Sequence, residues 1–220
     1  MTDSDTRPAP DALLLLAPGC PHCPTVLEAL ARLVKDGDIG RLEVVNIAAH
    51  PQRAAELGVR SVPWTRIGPF ALEGLHGVGE LTRWVEQARR GGGHGAYAAH
   101  LLESRRLHDA ETLVRQRPTS LGELVALLDD PDTSMQVRIG IGALLEGLQD
   151  SQALHDIVPE LGRLTLSDLP QTRADACHYL GLTGSPEALA YARTCLQDSD
   201  REVREIAAET LAVLGEDAAG

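Results

Sequence analysis

Cys20 and Cys23, separated by Pro21 and His22, are the residues of this chain best placed to do chemistry. Two cysteines two residues apart, set where a strand hands over to a helix, suit reversible disulfide exchange. The thiolate, not the thiol, is the nucleophile, so such a site must lower the pKa of the attacking sulfur. The first turn of a helix does this with unpaired N–H groups and the positive end of its dipole. Pro21 suits the first helical position, where its missing N–H costs nothing, and a protonated His22 adds positive charge. On this reading Cys20 is the exposed attacker and Cys23 the shielded resolver. Two other readings of the pair stay open. It could be half of a zinc site, although zinc takes four ligands and the other cysteines, Cys177 and Cys195, are far along the chain. It could also be a structural disulfide, although so small a loop would stabilise little.

The elements that must position the pair can be read around it. The apolar run Ala12–Ala17 reads as a strand and Thr25–Val34 as a helix. Arg41–Ile47 reads as a buried strand through Leu42, Val44, Val45 and Ile47, and Pro51–Leu57 as a short helix closed by Gly58. Strands follow at Thr65–Ile67 and Phe70–Glu73 about a Gly68-Pro69 turn. A helix over Glu80–Arg90 then carries Leu81, Trp84, Val85 and Ala88 at helical spacing. This βαβαββα order fills about 80 residues, the small end of the domain size range.

The segment Asn46-Ile47…Pro51…Gly58-Val59-Arg60…Val62-Pro63, ending forty residues after Cys23, resembles the thioredoxin superfamily. The resemblance implies a minimal, glutaredoxin-like thioredoxin fold in which Pro63 is cis and its loop packs against the two sulfurs. It also implies that Val62 and Pro63 hold an extended peptide by strand addition. Trp64, next along, reads either as the rim of that groove or as core. Departures are plain. Gly19 replaces the family's tryptophan, Leu14 its buried proton-shuttling acid, and Val44 the partner lysine, so a proton leaving Cys23 needs water, His22 or the backbone. The Pro-His dipeptide matches strongly oxidising disulfide donors, which predicts a Cys20 pKa below the ordinary thiol value and a potential above thioredoxin's. Gly77-Val78-Gly79-Glu80 stands where glutaredoxins carry an acidic pair for glutathione.

At 220 residues the chain has room for two small domains. Residues 1–10 read as a flexible polar tail, 11–90 as the thioredoxin-like domain, 91–95 as a glycine-rich linker and 96–216 as a helical domain. The start lacks a basic leader, and the first apolar run is too short for a membrane span, so a cytoplasmic home is expected. Residues 1–95 carry 10 basic and 11 acidic side chains, net −1, while 96–220 carry 10 and 21, net −11. That acidity makes the second half a poor surface for nucleic acid or anionic lipid. It fits a solvated helical face or a docking face for a basic partner.

Past the linker the chain repeats. Val137-Arg138, Thr172-Arg173 and Val203-Arg204 lie thirty-five and then thirty-one residues apart; Ile141, Ala176 and Ala207 follow in register, then Leu145, Leu180 and Leu211. Each match opens a helix after an Asp- or Pro-rich turn. The preceding helices read as Leu121–Leu128, Ala153–Leu164 (bent at Pro159) and Pro186–Leu196. Ser120 with Glu123 forms a capping box and Ser185-Pro186 an N-cap. Helix pairs at this period form α-solenoids, and Asp200–Leu214 resembles the HEAT-repeat consensus, in which Asp and Arg pair between repeats. Ala96–Arg117 reads as an off-register helical cap.

Cys177 aligns with Gly142 and Ala208, so it and Cys195 read as helix-packing residues. The scattered histidines show no metal-ligand spacing, and the sequence calls for no cofactor and no metal. The fold expected is thus α/β followed by all-α. The function expected is a thiol–disulfide oxidoreductase for a protein client, with the repeats as protein-binding module and a thioredoxin- or glutathione-type partner as electron source. Its alternative is a non-catalytic adaptor or maturation factor, with the thioredoxin fold as scaffold or redox sensor.

Overall fold

The computed structural model describes residues 8–149 and 151–215. Most of the expected N-terminal tail, residues 1–7, and the end of the helical domain at 216 lie outside the described residues. The chain divides into two compact units, Met1–Gly93 and His94–Gly220.

The first unit is built on a four-stranded sheet in the order β2-β1-β3-β4. Its elements run β1 (Asp11–Leu16), α1 (Cys23–Lys35), β2 (Arg41–Asn46), α2 (Pro51–Glu56), β3 (Trp64–Ile67), β4 (Phe70–Glu73) and α3 (Val78–Arg90). β1 runs parallel to β2, with Leu14 opposite Val44, and antiparallel to β3, with Leu14 opposite Thr65. Strand side chains alternate between faces. Leu13, Leu15 and Trp64 form one face with Val45, Ile47, Ala54, Leu57 and Val59. The other face carries Leu14, Ile67, Phe70 and Leu72, all fully buried. There Phe70 meets Trp84 of α3 at 5.1 Å between ring centres. α1 supplies Val26, Ala29, Leu30 and Leu33 at helical spacing and packs against α3.

One strand differs from expectation. β2 is not buried but forms the edge of the sheet, and Val44 is 43 % exposed. An apolar run cannot tell an edge strand from a central one, because the difference lies in which strand pairs beside it.

The second unit holds nine helices among the described residues: α4 (His94–Glu103), α5 (Leu107–Gln116), α6 (Thr119–Val125), α7 (Met135–Gly147), α8 (Gln152–His155), α9 (Val158–Leu164), α10 (Pro170–Leu182), α11 (Ala188–Cys195) and α12 (Arg201–Val213). A 3₁₀ turn, Ala126–Asp129, extends α6. The repeated positions Val137, Ile141 and Leu145, then Thr172, Ala176 and Leu180, then Val203, Ala207 and Leu211 are all buried, Thr172 with its hydroxyl donating to Leu128 O.

The repeated arginine does the same work each time. Arg138 donates to Leu128 O at 2.7 Å, Arg173 to Ser167 O at 3.0 Å and Arg204 to Asp198 O at 2.7 Å. Each closes the turn in front of its own helix by covering carbonyls left open by the preceding segment. Arg173 also grips Asp198 with two bonds of 2.7 and 2.8 Å, and Arg138 reaches Asp175 of the next repeat at 3.8 Å. Asp200 caps α12 by accepting from Glu202 N and Val203 N.

Several local expectations are corrected. The linker is shorter than 91–95, because His94 and Gly95 already belong to α4. Gly95 N–H donates to Glu123 Oε2 at 2.8 Å, and a Cβ at Gly95 would stand 2.7 Å from the Glu123 carbonyl carbon. That bond takes Glu123 away from the expected capping box, and Ser120 Oγ instead donates to Arg117 O at 2.7 Å. The cap 96–117 is two helices, turning at Arg105 with φ +58. Pro159 does not bend one helix: it sits in the first turn of α9, separate from α8, where its missing N–H is harmless. Ser185 Oγ accepts from Glu187 N at 3.2 Å, and α11 begins only at Ala188. Among the described residues no helix is long and apolar enough to cross a membrane.

Candidate functional site

The site starts at the carboxyl end of β1. Pro18 and Gly19 turn the chain, and Gly19 takes φ +78, a conformation that costs glycine little and a side chain much. Cys20 follows half-buried, and Cys23, 4 % exposed, opens α1. The two are joined by a disulfide with Cα atoms 5.5 Å apart, inside the normal range for such bridges.

The helix begins at Cys23, two residues ahead of the expected Thr25 but past Pro21, the residue expected at its first position. His22 is its N-cap, exposed and making no side-chain capping bond, so Pro21 lies ahead of the helix and Pro24 is the proline of the first turn. The C-x-x-C spacing cannot fix which proline enters, since both are compatible with a helix start. The result is that Cys23 supplies the first helical N–H, and this group points at Cys20 Sγ across 3.2 Å. Pro24 has no N–H to offer, so the Cys23 amide carries the interaction between the first turn and the sulfur.

Opposite the pair lies the 62–63 loop. Val62-Pro63 is a cis peptide, and Val62 O stands 3.6 Å from Cys20 Sγ. Val62 is half-buried and Pro63 buried, with Pro63 O accepting from Gly74 N at 2.9 Å. Trp64 is 5 % exposed among Leu13, Leu15, Val45 and Leu57, which makes it a core residue and removes it from the groove rim. Val62, two residues before it, packs its side chain against the same cluster and turns its carbonyl oxygen toward Cys20 Sγ.

Within β1, Leu14 is fully buried and faces Thr65 across the β1–β3 ladder. No carboxylate occupies Leu14's place, while the Thr65 hydroxyl is buried with no hydrogen-bond partner among the described residues. Sequence reading missed Thr65, because a single threonine in a strand carries no signal of its own. His76, next to the Gly77 N-cap of α3, sits within 2.9 Å of Glu80 and 3.0 Å of Glu73 O. Cys177 and Cys195, expected as separate packing residues, meet in one apolar cluster of the second unit.

Residues 12–86 match the family model described as Thioredoxin domain, and residues 121–212 match the one described as HEAT repeats. The chain therefore carries a thioredoxin-like domain followed by HEAT repeats, an α/β fold followed by an all-α one. No curated protein matches the chain.

Proposed function

We propose that this chain is a thiol–disulfide oxidoreductase acting on a protein client through Cys20 and Cys23. The observation that carries the reading is the asymmetry of the pair: Cys20 is half-exposed and receives the Cys23 N–H at 3.2 Å, while Cys23 is buried. An exposed sulfur whose charge is met by a helix-terminal amide is suited to attack; a shielded one is suited to resolve. In the reducing direction, the Cys20 thiolate attacks one sulfur of a client disulfide and releases one client thiolate. Cys23 then attacks Cys20 Sγ and releases the other. Two electrons pass to the client, the protons of Cys20 and Cys23 go to the two released thiolates, and the domain ends in the bonded state.

Val62 and Pro63 hold an extended client segment over the sulfurs by backbone pairing, and Pro21 and His22 tune the thiolate. The HEAT repeats serve as the protein-binding module. Joining capture and chemistry in one chain raises the local concentration of client without any new contact. The functional division follows residues 11–90 for chemistry and 96–216 for binding, with a thioredoxin- or glutathione-type reductant restoring the dithiol in the cytoplasm.

Trapping tests this reading. A Cys23→Ser chain retains the attacker and loses the resolver, so it accumulates a mixed disulfide with its client that dithiothreitol releases. Cys20→Ser traps none. A client that co-purifies equally with wild type and both variants, without a covalent link, favours the adaptor role instead.

A further inference from the structure

We propose that Cys177 and Cys195 form a second dithiol–disulfide centre within the HEAT repeats, in which Cys195 meets an incoming disulfide and Cys177 is its internal partner. Cys177 lies mid-way along α10 and Cys195 is the last residue of α11. They are 0 % and 2 % exposed and share one cluster with Ala174, Ala192, Val203, Ala207 and Leu211. Both are free thiols, on two helices that pack against each other, and each is the largest influence on the other's titration. Packing alone asks for a small apolar group at each position, as Gly142 and Ala208 supply at the places matching Cys177. It does not ask for two thiols in contact.

The two sulfurs are not equivalent. Cys195 lines a cleft of about 400 Å³ together with Thr165, Arg173 and Asp198, and Cys177 does not. The neighbouring Cys177 thiol holds Cys195 below the ordinary thiol range, helped by Thr165 and the charge of Arg173 and opposed by burial and Asp198. The Thr165 hydroxyl has one proton to share between Cys195 and Gly162 O, 2.7 Å away. The contact with Cys195, then burial, push Cys177 up. The first proton to leave the pair therefore leaves Cys195, at the wall of the cleft, which is where a nucleophile needs its charge.

The exchange balances without any further reagent than a disulfide. Cys195 thiolate attacks one sulfur of R–S–S–R, forming a mixed disulfide and releasing one thiolate. Cys177 then attacks Cys195 Sγ and releases the second. The pair is oxidised by two electrons, the disulfide is reduced by two, and the protons of the two cysteines pass to the released thiolates. The new bond ties the middle of α10 to the end of α11, beside the Arg173–Asp198 pair.

The test uses the full chain carrying Cys20→Ser and Cys23→Ser, so that Cys177 and Cys195 are the only thiols, reduced and kept folded as judged by circular dichroism. Oxidised glutathione is the probe, read by intact mass and by mapping of unreduced peptides. The expected result is a loss of two hydrogens, a linked Cys177–Cys195 peptide and no retained glutathione. Adding Cys177→Ala, a residue size the repeat already tolerates, should leave one glutathione on Cys195. Retention of glutathione on both cysteines, or reaction only after urea is added, overturns the proposal. Because Cys20 and Cys23 are absent from this chain, neither outcome bears on the oxidoreductase reading.

Discussion

Cys23 N–H meets Cys20 Sγ at 3.2 Å, so the first amide of α1 serves a side chain and not the helix's own backbone. Pro24 leaves the next position without a donor, which concentrates the effect of the helix terminus on one bond. In the reduced protein the same amide faces a thiolate, and a hydrogen bond to a charged acceptor is roughly twice as strong as a neutral one.

The reduced Cys20 thiol should accordingly ionise early. Alkylation of Cys20 followed against pH, in a Cys177→Ala, Cys195→Ala background, should rise through a midpoint below the free-thiol value of about 8.5. The sign follows from charge: the amide stabilises the thiolate, so the proton leaves at lower pH. A midpoint at or above the free value contradicts the role assigned to Cys23 N–H.

Asp198 sits in the grip of Arg173, whose bidentate hydrogen bonding holds its carboxyl below the usual carboxylate range. A depressed acid contributes stability that is complete above its unfolded value near about 3.9 and is lost as pH falls through the folded one. Asp198→Asn should cost about 2 kcal/mol at neutral pH, the scale of a hydrogen bond to a charged group. The difference from wild type should shrink below about pH 4. Urea unfolding at the two pH values measures both; equal stability of the two chains at neutral pH contradicts the account.

Much of this was legible in the sequence, and what was not has a common cause. The Cys20–Cys23 spacing, the Val62-Pro63 segment and the Val-Arg repeat are patterns within short windows, and short windows fix local geometry. Trp64 could not be assigned between rim and core until β3 was paired with β1, because pairing decides which face each residue takes. The Ser120–Glu123 capping box satisfied every local rule and still failed, because the Gly95 amide reaches Glu123 from twenty-eight residues away. The meeting of Cys177 with Cys195 likewise needs the packing of α10 on α11, which no spacing along the chain encodes.

Gly95 offers a direct check of that long-range contact. A methyl group there would strike Glu123 and the Leu124 amide nitrogen, 2.8 Å away, whereas Gly92 faces open space. Gly95→Ala should destabilise the chain by about 1–3 kcal/mol, the usual cost of overpacking. Gly92→Ala should stay within about 0.5 kcal/mol. Thermal unfolding of the two variants side by side decides it, and equal effects would refute the close approach of α4 to α6.

Thr65 carries a buried hydroxyl without a hydrogen-bond partner among the described residues, opposite Leu14. Thr65→Val keeps the shape and removes the unpaired group, so stability should hold or rise by about 1 kcal/mol. A loss of that size in chemical denaturation would show that the hydroxyl is bonded in solution.

The central claim is that a disulfide bond is exchanged between a client and the Cys20–Cys23 pair. Reduction of insulin by dithiothreitol, followed by turbidity, measures it most directly. With Cys177 and Cys195 replaced by Ala in every chain, the otherwise wild-type protein should accelerate precipitation, Cys20→Ser should fall to the uncatalysed rate, and Cys23→Ser should form the first mixed disulfide without sustained turnover. Equal acceleration by the otherwise wild-type protein and Cys20→Ser, or none by the former, would contradict it.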